Sequence, residues 1–249
     1  MRRARRLLDR LLRLVAAGVC GSVLGACGAG SEKASQPGAS NEGDSVEPRG
    51  ASVGEAPRGL FRDVTKESGL ATFRLENGAR GERWLVETMT GGLGFIDFDN
   101  DGDLDLWVAN AHERSLDPTA PGTASDRLFE NDGRGRFTDV TERAGVRETR
   151  YSNGVAVGDF DNDGLQDVFV TSYGRNTLLR NTGEGSFVDV TESAGLVEIG
   201  WSMSAAWFDM DRDGDLDLYV TRYLEYQPGA SRSCVERGER VYCHPRFFR

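Results

Sequence analysis

Histidine and cysteine are scarce in this chain. Two histidines, His112 and His244, stand among 249 residues. There is no nucleophile elbow, no Ser/His/Asp set and no zinc-binding spacing, so hydrolytic and zinc-dependent catalysis lack their usual carriers. No basic patch interleaved with aromatics follows the N-terminus, so no nucleic-acid partner is expected. The apolar stretch Leu14 to Ala26 is too short to span a bilayer stably by itself. Of the four cysteines, Cys20 and Cys27 lie near the N-terminus, and only Cys234 and Cys243 fall in the region expected to fold.

What is plentiful is aspartate in one arrangement. The stretch Asp159-Phe160-Asp161-Asn162-Asp163-Gly164-Leu165-Gln166-Asp167 puts aspartate at positions one, three, five and nine, with glycine at six. The grammar recurs at Asp97, Asp99, Asp101, Gly102 and Asp105, and at Asp209, Asp211, Asp213, Gly214 and Asp217. Calcium is a hard cation that takes six to eight oxygens, largely carboxylates and carbonyls. Alternate aspartates on a tight loop can converge on such an ion, and glycine permits the turn. Position seven (Asp103, Leu165, Asp215) can serve through its carbonyl, so its side chain varies. Without a cation these carboxylates repel at close range. Four ligand aspartates in each of three loops exceed the whole net charge of −10, so the acidity is local. About three Ca²⁺ ions are expected; the rival reading is a plain acidic turn.

An EF-hand is a poor match. It needs glutamate at position twelve between two helices, where this chain has Val108, Val170 and Val220. The flanks are short β-branched and aromatic runs such as Val155-Ala156-Val157 and Val168-Phe169-Val170. Each loop is therefore expected to join two strands.

The N-terminus is basic, with Arg2, Arg3, Arg5, Arg6, Arg10 and Arg13, and then apolar. Residues 1–27 read as an export signal. Leu24-Gly25-Ala26-Cys27 resembles a bacterial lipobox, which implies that Cys27 is lipidated; an ordinary cleaved signal is the alternative. Residues 28–58 are rich in Gly, Ala, Ser, Pro and Glu. They cannot bury enough apolar surface to offset ordering, so they read as a flexible tether.

From residue 59 the chain reads as repeats. Phe61-Arg62-Asp63-Val64-Thr65 is echoed at Phe137–Thr141 and Phe187–Thr191. Successive copies lie near fifty residues apart, and the insertion Glu113 to Ser125 accounts for one longer interval. In the best copy the strands are expected at Val155–Phe160, Asp167–Ser172, Thr177–Asn181 and Phe187–Thr191. The fold expected is all-β: an incomplete β-propeller of four-stranded antiparallel blades, each with a calcium loop between its first two strands. The blades fall at about 90–141, 153–191 and, partially, 202–249. A blade cannot cover its own apolar faces. Phe98, Phe160 and Met210, with Trp107, Phe169 and Tyr219, are therefore expected in inter-blade cores. Phe61–Thr65 looks like a strand that completes a final blade. With so few blades the chain reads as a fragment of a longer protein; the alternative is a short form that closes by self-association. Cys234 and Cys243 can form a disulfide after export, or remain free thiols.

These residues resemble the FG-GAP/VCBS repeat proteins. They more closely resemble the bacterial relatives of cartilage acidic protein, the ASPIC/UnbV group. The resemblance rests on Phe61–Thr65, Glu87-Thr88-Met89-Thr90-Gly91-Gly92 and the three aspartate loops. It rests also on the Asn-Xaa-Gly-Xaa-Gly-Xaa-Phe turns at Asn131 and Asn181, and on Tyr242-Cys243-His244-Pro245. It implies a calcium-stabilised extracellular propeller used in adhesion or ligand binding, with no catalytic residue to carry over. The expected protein is exported and lipid-anchored at an outer membrane or cell surface, or else periplasmic or secreted. Its expected partner is a protein or glycan. A structural accessory of an envelope complex and a polysaccharide-active enzyme are the competing readings.

Overall fold

The computed structural model describes residues 61–77, 79, 83–111, 126–146, 150–225 and 234–247. The expected signal with Cys27, the tether and the insertion Glu113 to Ser125 lie outside these residues. Val64–Arg249 form one compact unit; of the other, Met1–Asp63, only residues 61–63 are described.

The molecule is all-β apart from short 3-10 turns at Leu70–Thr72, Leu85–Thr88 and Pro245–Phe247. The first sheet takes β1 (Leu93–Ile96), β2 (Asp105–Val108), β3 (Arg127–Asn131) and β4 (Phe137–Asp139), antiparallel in chain order. The second repeats it with β5 (Tyr151–Gly158), β6 (Asp167–Arg175), β7 (Thr177–Asn181) and β8 (Phe187–Asp189). The third contributes β9 (Ile199–Phe208) and β10 (Asp217–Arg222). A separate hairpin, β11 (Cys234–Glu236) and β12 (Glu239–Val241), is crossed by the Cys234–Cys243 disulfide. This is the architecture of an incomplete propeller: among the described residues, two four-stranded blades and a third with two strands.

Strand limits differ from expectation in three places, each for a local reason. The fourth strands stop at Asp139 and Asp189 because Thr141 and Thr191 turn inward. Asp189 Oδ1 accepts from both the amide (2.9 Å) and the hydroxyl of Thr191, whose Oγ1 accepts from Leu178 N at 2.9 Å. Thr141 repeats this with Asp139 and Leu128. Phe61–Thr65 is not a strand: residues 61–64 lack regular structure and Phe61 is exposed. Its echoes β4 and β8 are strands because β3 and β7 pair with them. The turn that follows is nonetheless shared. Phe137 N donates to Ser68 O (2.7 Å) as Phe187 N donates to Ala144 O (3.1 Å). Finally, β5 starts earlier than expected and stops at Gly158 rather than Phe160, where the aspartate loop begins, and β6 runs on to Arg175, with a bulge between Ser152 and Gly154.

That extension joins blades two and three. Tyr173, Gly174 and Arg175 of β6 pair with Trp201, Gly200 and Ile199 of β9. Blade one is joined to blade two at the same level by single bonds, Ser152 N to Asn110 O (3.1 Å) and Gly92 N to Asn153 O (3.0 Å). Glycine is required there: a Cβ on Gly92 would lie 2.4 Å from Asn153 O, and one on Gly154 would lie 2.5 Å from Met203 O.

The core lies between blades. Ile96, Phe98, Trp107 and Leu128 pack against Val168, Val170, Leu179 and Phe187. Trp107 meets Phe187 edge-on at 5.4 Å, and its Nε1 donates to Asp126 Oδ2 at 3.0 Å. The second interface sets Ala156, Phe169 and Leu178 against Trp207, Leu218 and Val220. Phe98, Trp107 and Phe169 are buried as expected and Phe160 is partly so, but Met210 and Tyr219 are exposed. They occupy the equivalent face of the third blade, which no described strand covers. The strands show the same pattern. Strand β6 is buried almost throughout because it is covered on both faces, whereas β10 is mostly half-buried or exposed.

Candidate metal centres

Each aspartate loop bridges the first two strands of its blade, as the flanking sequence predicts. All three have one backbone course. Position four is left-handed at Asn100 (φ 60°), Asn162 (φ 58°) and Arg212 (φ 61°), and position six at Gly102 (φ 92°), Gly164 (φ 90°) and Gly214 (φ 87°). Only glycine adopts such angles without penalty; asparagine tolerates them.

Internal hydrogen bonds hold the shape. In the second loop, Asp163 N donates to Asp159 Oδ1 (3.0 Å), Gly164 N to Asp159 Oδ2 (3.0 Å) and Leu165 N to Asp163 Oδ1 (2.9 Å). The first loop repeats all three bonds with Asp97 and Asp101, and the third with Asp209 and Asp213. Position nine ties the loop to its sheet. Asp167 accepts from Phe160 N (3.1 Å) and Asn181 N (2.8 Å); Asp105 accepts from Phe98 N (3.0 Å) and Asn131 N (2.8 Å); Asp217 accepts from Met210 N (2.9 Å).

Three carboxylates converge in each loop, with ligand oxygens within 4.8 Å of one another. In the first loop these are Asp97, Asp99 and Asp101. In the second they are Asp159, Asp161 and Asp167, and in the third Asp209, Asp211 and Asp217. Position five is thus a member of the cluster in the first loop only, and position nine in the other two. Position-seven side chains lie outside the clusters. Asp215 Oδ1 accepts from Asn162 Nδ2, while Asp103 and Leu165 lean on the turns at Gly133 and Gly183. The donor set is hard oxygen throughout and fits calcium; carbonyls and water would complete the shell.

The electrostatics are those of crowded, partly dehydrated acids. Burial pushes the Asp105 and Asp167 carboxyls up to about 6, against the pull of the two backbone amides that each accepts. Burial and then Asp101 and Glu130 raise Asp99; burial and then Asp163 raise Asp161, partly offset by Arg180. The compensating charge is uneven. Arg180 stands 3.9 Å from Asp161, whereas the equivalent residue beside Asp99 is Glu130.

Two side chains unforeseen from the sequence connect the loops. Gln166 Oε1 accepts from Asp97 N at 2.8 Å, linking the second loop to the first. Asn162 Nδ2 donates to Asp215 Oδ1 (2.9 Å) and Gly214 O (3.3 Å), linking it to the third. The available signal was a departure from the repeat: position eight is Leu104 and Leu216 in the other loops, but Gln166 here.

A family model described as FG-GAP-like repeat matches the chain twice, over residues 97–170 and 159–220. Each match runs from one aspartate loop through to the second strand of the next blade, so it takes in two successive loops and the two matches share the second loop. No curated protein matches the chain. Residues 97–220 are therefore similar to FG-GAP-like repeats.

Proposed function

We propose that this chain is a calcium-binding, non-catalytic propeller module that works outside the cytoplasm in adhesion or ligand binding. The observation that carries the reading is the threefold recurrence of one loop geometry. The same left-handed positions, the same aspartate-to-amide bonds and a converging carboxylate triad appear in each copy. Calcium would be held by Asp97, Asp99 and Asp101, by Asp159, Asp161 and Asp167, and by Asp209, Asp211 and Asp217. Its chemistry there is charge neutralisation of crowded carboxylates, which rigidifies the blade corners. Extracellular calcium modules bind at about 10⁻⁴–10⁻³ M, a range suited to constant occupancy rather than signalling.

The lipobox-like Leu24-Gly25-Ala26-Cys27 supports attachment to a bacterial envelope through Cys27, with residues 28–58 as the tether. The opening Phe61–Thr65 and Tyr242-Cys243-His244-Pro245 support kinship with the ASPIC/UnbV group. A protein or glycan is the ligand class proposed. Calcium titration of the metal-free chain by calorimetry tests the reading, with about three ions bound as the expected result. Binding of none would sink it. A glycan array run beside a hydrolysis screen separates binder from enzyme.

A further inference from the structure

The first two aspartate loops share one backbone course but not one charge. The residue that sets them apart lies outside the loop, on the third strand of the blade. Glu130 of β3 stands opposite Thr138, and Arg180 of β7 holds the same place opposite Val188. Both side chains reach position three of their own loop. The Glu130 carboxyl is in hydrogen-bonding contact with Asp99, whereas Arg180 Nη1 stands 3.9 Å from Asp161 Oδ2. Glu130 is also held in place. Its Oε2 accepts from Arg143 Nη2 at 2.8 Å, and the Arg143 guanidinium lies over the Phe98 ring, 5.9 Å from its centre. Blade two has Ser193 where blade one has Arg143, and its Oγ donates to Val190 O at 2.9 Å instead. Position seven adds to the contrast, with Asp103 in the first loop and Leu165 in the second. The first loop thus gathers five aspartates and Glu130 against one guanidinium, and the second four aspartates against one.

An ionised carboxylate only accepts hydrogen bonds. Glu130 and Asp99 therefore gain nothing from each other unless a cation joins them. One bond from Arg143 leaves the Glu130 carboxylate with acceptor capacity to spare. The triad of Asp97, Asp99 and Asp101 supplies three of the roughly six to eight oxygens that calcium takes. We propose that Glu130 is a further calcium ligand at the first loop, and that Arg180 stands in its place at the second as a built-in counter-ion that weakens binding there. The inference rests on the calcium reading above and adds an order to it: the first loop fills before the second. Ligand charge count is one of the means by which calcium loops set their affinity. A unit charge a few ångströms from a divalent ion, at a partly exposed site, is worth about tenfold in binding.

Calorimetric calcium titration of the full chain, stripped of metal by a chelator, tests the proposal. Asp99→Ala and Asp161→Ala identify which binding step belongs to which loop. In the wild type the first loop is expected to bind at least about tenfold tighter than the second. Glu130→Gln should weaken the first-loop step about tenfold, and Arg180→Gln should tighten the second-loop step by a similar factor. Arg180→Glu, which gives the second loop the residue of the first, should tighten it further, a gain that misfolding cannot mimic. Melting curves check that each variant is folded. Repeating the Glu130→Gln comparison in about 1 M salt, where screening acts within about 3 Å, separates a ligand from a charge that is merely near; the ratio to wild type should persist. Equal affinity at the two loops overturns the proposal. So does a Glu130→Gln chain that binds like the wild type, or one whose deficit vanishes in salt. Absence of any calcium binding is a different result, which overturns the calcium reading and this proposal with it.

Discussion

Arg212 holds the same left-handed backbone, φ 61°, that asparagine holds in the other two loops. A Cβ-bearing residue other than asparagine or aspartate is strained in that conformation. Arg212→Asn is expected to raise stability by up to about 1 kcal/mol by relieving part of that cost, read as a shift in the urea midpoint. The second loop tests the ligand set. Asp161→Ala removes one member of the triad, and Gly164→Val forces a β-branched residue to φ 90°. Each should remove one calcium from the calorimetric count and leave the other two. At this scale the aspartates and glycines were legible in the sequence because their spacing repeats. Gln166, Asn162, Glu130 and Arg180 were not. Their roles depend on which loop lies beside which, and spacing within one repeat carries no information on that.

Strands and loops respond to acid in a way that depends on calcium. Asp105 and Asp167 are raised to about 6 in the folded, metal-free chain, above the ordinary aspartate value. A folded state that binds more protons than the unfolded one gains stability as pH falls through that window. Without calcium, the melting temperature should therefore rise between about pH 7 and pH 5. With calcium bound the carboxylates are held ionised, protons compete with the ion, and the same acidification should lower it. Parallel melts with EDTA and with excess calcium read both slopes; equal slopes would contradict the metal reading. Gln166→Leu, which restores the residue of the other loops, should weaken calcium binding at the first loop by removing the acceptor of Asp97 N. The strands themselves were largely legible, since β-branched and aromatic runs flank every loop. What escaped was their inner ends. The extension of β6 to Arg175 is stabilised by pairing with β9, a partner about 26 residues away in another blade. Phe61–Thr65 misled for the converse reason: its sequence suits a strand, but a strand needs a neighbour to hydrogen-bond.

At the scale of the molecule, stability resides in the spaces between blades. Trp107 is fully buried between blades one and two and bonds Asp126. Trp107→Ala should cost about 3–5 kcal/mol, the largest loss among single core truncations, and should be visible in chemical denaturation. Removing calcium with EDTA should lower the melting temperature of the whole unit, because the loops sit at the corners where blades meet. The period near fifty residues made the blade architecture legible. The continuous sheet through blades two and three was not, since repeat sequences look alike whether or not their backbones join. That join has a mechanical consequence. Held at residues 64 and 222 and stretched, the unit should not yield one blade at a time. Blade one, packed on blade two but sharing no strand ladder with it, should separate first. Blades two and three, sharing the β6–β9 ladder, should then rupture together in a single longer step.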